Sequence, residues 1–167
     1  MTVNGLVSHL EKAGWRDFSP GDFLGVTFDA IGKAKLARNN WFAVVKLIPR
    51  LYAAALDTWN GHYAHMWKKA PARLFSSGKY FVLILLIEEI APDALERLAK
   101  RDSVTLLEHP EEITRGGGYP LLAIRGQQYV LMPKKVVLWE PLRAKEFAGR
   151  THKAVVAYLK GLQASGA

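Results

Sequence analysis

Residues 79–89 read KYFVLILLIEE, and this stretch decides the fold because its apolar run, residues 80–87, is unbroken. The turn-forming residues SSG, 76–78, precede it, and Ala-Pro-Asp at 91–93 follows it as the start of a helix that runs to about residue 101. An apolar run of this length between turn signals predicts a strand that is buried on both faces. Such a strand requires a sheet with helices on both sides.

The chain before this strand predicts a β-hairpin followed by a helix. FLGVTF, residues 23–28, and WFAVVKLI, residues 41–48, are β-prone, and Asn39-Asn40 predicts a turn between them. Basic residues lie near the tip of this hairpin. Pro49 suits the first turn of a helix over residues 50–69, which Asn60-Gly61 interrupts.

The two ends of the chain predict further helices and strands. A first helix capped by Thr2 or Asn4 runs to about Ala13 and ends at Gly14. Later segments predict short strands at 103–107, 119–124, 128–132 and 136–139, and a last helix at 142–162. Helices separated by strands predict one domain, residues 1–167, of the α/β or α+β class, with a mixed β-sheet flanked by helices.

Composition excludes several classes of protein. Half of the 167 residues are hydrophobic and 23% are charged, which is a globular composition. The absence of cysteine excludes a disulfide framework, a thiolate metal site and a cysteine nucleophile. The longest apolar run is far shorter than the roughly 20 residues that span a bilayer, and the N-terminus lacks the pattern of a secretory signal. We therefore expect a cytoplasmic protein with no membrane partner.

The net charge of +8 is concentrated in one third of the chain. Residues 33–79 contain nine basic side chains and one acidic one, Asp57, whereas the segments before and after them carry −2 and +2. A local excess of cations predicts an anionic partner, and we expect nucleic acid. The candidate nucleic-acid-binding residues are Lys33, Lys35, Arg38, Lys68, Lys69, Arg73 and Lys79. The same region is rich in aromatic residues, most of which we assign to the core because they recur at core-like spacing.

The order of elements over residues 1–107 resembles the core of the restriction-endonuclease-like, or PD-(D/E)xK, superfamily. The resemblance implies an acid on the second core strand and an acid-x-Lys on the third, which together hold a divalent metal and activate water. Asp29 takes the place of the first acid and Lys46 that of the lysine, so both are candidate catalytic residues. Val44 stands where the second carboxylate is required, and the chain contains no Asp-x-Lys or Glu-x-Lys. The resemblance therefore implies a degenerate, non-catalytic nuclease-like domain.

Two other functions stay open at this point. Five tryptophans in a small chain also suit a homodimeric structural or interaction protein without nucleic acid. A metal-dependent phosphodiesterase would use Asp29 and Lys46 with further acids such as Glu11 or the pair Glu88-Glu89. His62 and His65 share one side of a helix, but two histidines without a third ligand do not predict a zinc site. No signature of a cofactor, a metal site or a serine nucleophile occurs, so the sequence favours a protein that is not an enzyme.

Overall fold

The computed structural model of the chain describes residues 1–36, 39–70, 79–99, 118–126, 130–131 and 142–165. Within these ranges the backbone forms four helices and six strands. In chain order they are α1 (Val3–Lys12), β1 (Arg16–Phe23), β2 (Val26–Leu36), β3 (Asn39–Leu51), α2 (Ala53–Lys69), β4 (Lys79–Ile90), α3 (Pro92–Ala99), β5 (Gly118–Ile124), β6 (Val130–Leu131) and α4 (Leu142–Ala164).

The six strands form one mixed sheet in which spatial order follows chain order. Strands β1, β2 and β3 form an antiparallel meander. Strands β4 and β5 run parallel to β3, and β6 is antiparallel to β5. The predicted class, a mixed sheet flanked by helices, is confirmed.

Strand β4 is the centre of the sheet, as its sequence predicts. Each residue from 81 to 87 is completely buried. Alternate side chains of β4 enter two separate apolar clusters, one on each face of the sheet. Helices α1 and α4 cover the first face through Leu6, Leu10, Val155, Tyr158 and Leu159. Helices α2 and α3 cover the second face through Leu56, Tyr63, Met66, Trp67 and Ala94.

The N-terminal helix forms where it was predicted. The Thr2 hydroxyl accepts a hydrogen bond from the Gly5 amide at 3.1 Å, which is the expected N-cap contact. Gly14 follows the helix with a φ of +101°, a conformation that glycine adopts without strain. The Tyr158 hydroxyl of α4 bonds both the amide and the carbonyl of Thr2, at 2.8 and 2.9 Å. These two bonds join the first turn of α1 to α4.

The prediction of a single strand over residues 23–28 is wrong. Leu24 and Gly25 form a two-residue turn with φ values of +54° and +88°, so β1 ends at Phe23 and β2 begins at Val26. Both positive φ angles are those of a type I′ hairpin turn, which normally selects asparagine, aspartate or glycine. Leucine at the first turn position hid the turn, and with it the whole of β1.

The prediction that Pro49 opens a helix is also wrong. Strand β3 continues through Pro49 to Leu51, and its register with β4 resumes at Arg50, opposite Glu89. The fixed φ of proline is compatible with an extended strand as well as with a first helical turn. Helix α2 then runs unbroken over the Asn60-Gly61 pair that was expected to interrupt it.

The remaining predictions either agree with the structure or concern segments outside the described residues. Strands β5 and β6 pair antiparallel, with Gly126 at a φ of +79° in the turn after β5, and α4 covers the predicted C-terminal helix. The predicted turn at 76–78 and the predicted strands at 103–107 and 136–139 lie outside the described residues. Among the helices of the described ranges, none is long and apolar enough to cross a membrane.

Candidate functional site

Asp29 lies at a β-bulge of the β1–β2 pairing, and the β2–β3 register, which pairs Ala30 with Val45, places it opposite Lys46. Ser19 pairs with Ile31 and Gly21 with Phe28, so β2 has one residue more than β1 between these two pairs. Such a bulge bends its strand and alters the direction of the side chains beside it. At this bulge the Asp29 carboxylate accepts hydrogen bonds from Lys46 Nζ at 3.0 Å and from the Leu47 amide at 2.8 Å. The fold thus brings together the two candidate catalytic residues.

The bend folds the β1–β2 hairpin back over the second face of the sheet. In a straight continuation of the β2–β3 register, Val26 would lie opposite Pro49, seven residues and about 24 Å along β3 from Phe42. The ring of Phe23, the partner of Val26, instead lies 5.0 Å from that of Phe42. Its centroid is also 5.8 Å from the ring of Phe81 in β4. The hairpin end is therefore part of the second apolar cluster.

The acids suggested for a metal-dependent enzyme do not join Asp29. Val44, two residues before Lys46, is completely buried in the apolar cluster of the second face. Glu89 binds Arg50 at 3.3 Å, and Glu88 binds the N-terminal ammonium group at 3.2 Å. Among the described residues, no group of three or more histidine, aspartate or glutamate side chains could hold a metal ion. In this part of the chain Asp29 serves as a clamp between β2 and β3.

The two histidines of α2 contact neighbouring groups within the protein. His65 Nε2 lies 3.1 Å from the Leu24 carbonyl oxygen, so it links α2 to the turn of the β1–β2 hairpin. The His62 ring packs edge-on against the ring of Trp59, with centroids 5.3 Å apart. Both contacts are structural.

Three cations of β1 and β2 lie at one end of the sheet. Arg16 is paired with Lys33, Lys33 with Phe42 of β3, and Phe42 with Phe81 of β4, so these residues form one row across four strands. Two positions further out, Lys35 pairs with Asn40. Lys33 and Lys35 were expected near the hairpin tip, and the structure places them within β2, with exposed side chains.

Helix α2 brings two more lysines to the same end. Its first turn lies at the far end of the sheet, because the Ala53 amide donates to Asp93 of α3, which follows β4. Its later turns lie near the start of β4, since the ring of Tyr63 is 5.8 Å from that of Phe81. Lys68 and Lys69 end this helix and are exposed. We call the five residues Arg16, Lys33, Lys35, Lys68 and Lys69 the basic end.

The structure describes five of the seven predicted binding residues. Four of them, Lys33, Lys35, Lys68 and Lys69, belong to the basic end. The backbone of Lys79 also starts β4 at this end, opposite Asn40. Arg38 and Arg73 lie outside the described residues. Arg16 was not predicted, because it joins the group only through β1, the strand that the sequence did not reveal.

The basic end carries a local excess of positive charge. Within the described ranges, none of its five cations forms an ion pair. Three acids lie within six residues of Arg16 in the chain: Glu11, Asp17, and Asp22 in the hairpin that folds back. The Asp22 carboxylate accepts a hydrogen bond from the Gly25 amide at 2.8 Å. The five exposed cations outnumber these three acids.

The opposite end of the sheet, where β3, β4 and β5 finish, has a different charge arrangement. We call it the carboxyl end. Arg50 binds Glu89 there, and Arg97 of α3 binds Asp57 of α2 through both guanidinium nitrogens. The hydrogen bond to Asp57 raises the pKa of Arg97 above its usual value, so this guanidinium keeps its proton. The described cations of this end are the N-terminal ammonium group, Arg50, Arg97, Arg125 and Lys160, and the described acids are Asp57, Glu88, Glu89, Asp93 and Glu96.

The aromatic residues of the basic third belong mainly to the core, as predicted. Trp41, Tyr63 and Trp67 are each at most 3% exposed. Comparison of the chain with known protein families, with curated proteins and with solved structures finds no match.

Proposed function

We propose that this protein binds nucleic acid through its basic end and that it has no hydrolytic activity of its own. The observation that carries the proposal is the convergence of five exposed cations, from three separate elements, at one end of the sheet. Cations that lack an internal partner release the counterions of a phosphate backbone when they bind it, and this release supplies most of the affinity of non-specific binding.

The proposal includes the likeness to a nuclease-like core. The order α1-β1-β2-β3-α2-β4 and the contact between Asp29 and Lys46 support it. Buried Val44 at the position of the second carboxylate supports a loss of metal-dependent hydrolysis. We therefore expect no cleavage of DNA or RNA with magnesium or manganese, and cleavage that Asp29→Asn abolishes would refute this part of the proposal.

The test of binding is a variant with Lys33, Lys35, Lys68 and Lys69 all changed to glutamate. We expect its affinity for a fluorescein-labelled oligothymidylate to fall at least about a hundredfold at about 50 mM salt, because each reversal removes one phosphate contact and adds a repulsion. Fluorescence anisotropy measures the affinity, and circular dichroism confirms that the variant is folded. An unchanged affinity in the folded variant would refute the proposal.

A matched pair of variants separates a local effect from a change in net charge. Lys33→Glu with Lys68→Glu removes two exposed cations of the basic end, and Arg125→Glu with Lys160→Glu removes two exposed cations of the carboxyl end. Both variants have the same net charge. We expect the first pair to weaken binding at least about tenfold and the second less than about threefold. Equal losses would mean that binding follows net charge and not this surface.

The homodimer remains a separate prediction. The observation that suggested it, five tryptophans in a small chain, supports it less well in the folded protein. Trp15, Trp41 and Trp67 are buried in the two apolar clusters of a single chain. The large hydrophobic side chains that are exposed in the described ranges are Tyr52 and Leu95, at 48% and 50%. Light scattering that shows a dimer at micromolar concentration would revive this alternative.

A further inference from the structure

The aromatic rings near the basic end pack against other rings of the protein. Trp41 and Tyr80 stack with their centroids 4.8 Å apart and an angle of 13° between their planes. Phe42, the residue opposite Lys33, contacts Phe23 at 5.0 Å. The ring faces that touch in these two pairs would have to separate before either could stack on a nucleic-acid base.

The polar groups at this end suit phosphate oxygens. Four of its five cations are lysines, whose ammonium groups act as flexible point charges and do not form the rigid fork with which arginine recognises guanine. Asn40, between Lys35 and the start of β4, is exposed, and its amide can donate to a phosphate oxygen. The cations lie on two neighbouring strands and at the end of a helix, all with exposed side chains.

We propose that the basic end binds the sugar–phosphate backbone and does not stack the bases. This inference rests on the proposed function and names its substrate class: any nucleic-acid strand with a continuous phosphate backbone, whatever its bases. A groove that stacks bases gains at least about fivefold in affinity for each base that it stacks. Removal of the bases from the ligand therefore distinguishes the two kinds of binding.

The experiment compares two labelled strands of about 20 nucleotides, one of thymidylate and one built entirely of abasic deoxyribose phosphates, at about 50 mM salt. Both carry the same number of phosphates, and the full-length protein is used. We expect their affinities by anisotropy to differ less than fivefold. Lys33→Glu with Lys68→Glu should weaken the binding of both strands by the same factor.

The outcomes separate this inference from the proposed function. If the thymidylate strand binds and the abasic strand binds fivefold or more weakly, bases are stacked and this inference fails, while the proposed function stands. If neither strand binds, the proposed function and this inference both fail. Comparable binding of both strands, lost in the lysine variant, supports both.

Discussion

The two ends of the sheet hold their cations in different ways. At the carboxyl end Arg50 and Arg97 bind the carboxylates of Glu89 and Asp57. At the basic end the five cations are exposed and form no ion pair within the described ranges. Exposed ion pairs contribute little to stability, but they neutralise a surface, whereas unmatched cations leave a positive potential available to a partner.

This difference shows why a count of charges along the chain is an incomplete guide to a binding surface. The basic third of the sequence includes Lys46 and Arg50, yet both bind carboxylates in the folded protein. Arg16 lies outside that third and joins the basic end through its register with Lys33. The pairing of charges in three dimensions, and not their number along the chain, distinguishes the two ends.

The largest effect that we expect concerns salt. Five cations that each neutralise one phosphate of a single strand give a slope of about −3.5 in log affinity against log salt. The affinity should then fall about a hundredfold between about 50 and 200 mM salt, as measured by anisotropy. A slope close to zero would show that the five cations do not contact phosphates.

Matched variants at the two ends test whether the salt dependence comes from the basic end. Changing Lys68 and Lys69 to glutamine should reduce the slope by about 1.4, because two phosphate contacts are lost. The matched change of Arg125 and Lys160 to glutamine should leave the slope as it is. If the two double variants lower the slope equally, the proposed difference between the ends is wrong.

A smaller effect concerns the clamp in the middle of the sheet. Asp29→Ala removes the acceptor of both Lys46 Nζ and the Leu47 amide, so we expect the free energy of unfolding to fall by about 1–3 kcal/mol. Asp29→Asn keeps an oxygen for the Leu47 amide and should cost less. Urea denaturation measures both losses.

Binding provides the control for this variant. Because Asp29 is a clamp and not part of the basic end, folded Asp29→Ala should bind the thymidylate strand as well as the unmodified protein does. Folded Asp29→Ala that no longer binds would place Asp29 in the binding surface instead.

The smallest effect concerns repulsion within the basic end. Changing Lys33 and Lys35 to glutamine should raise the free energy of unfolding by no more than about 0.5 kcal/mol at low salt, because two unmatched cations are removed. At about 1 M salt the screening length is only about 3 Å, and the gain should disappear. A loss of stability at both salt concentrations would mean that these lysines support the fold.

Much of the fold could be predicted from the sequence because its signals are local. The apolar run of β4 and the Thr2 cap of α1 act within a few residues, and both predictions are confirmed. Strand β1 could not be predicted, since the first position of its turn, with a φ of +54°, holds Leu24 where asparagine, aspartate or glycine is usual. Pro49 was ambiguous because one φ value serves both a strand and a first helical turn.

A central strand buried on both faces, helices on either side, and an excess of positive charge in one third of the chain all follow from the order of the amino acids. Which of those charges lie together depends on the fold. Lys33 and Lys68 are 35 residues apart, and the strand register and the direction of α2 bring them to one end of the sheet. Asp29 meets Lys46 because the antiparallel register of β2 and β3, which pairs Ala30 with Val45, places the two residues opposite each other. Strand register and helix direction are set by how distant apolar side chains pack, so a local window of sequence does not contain them.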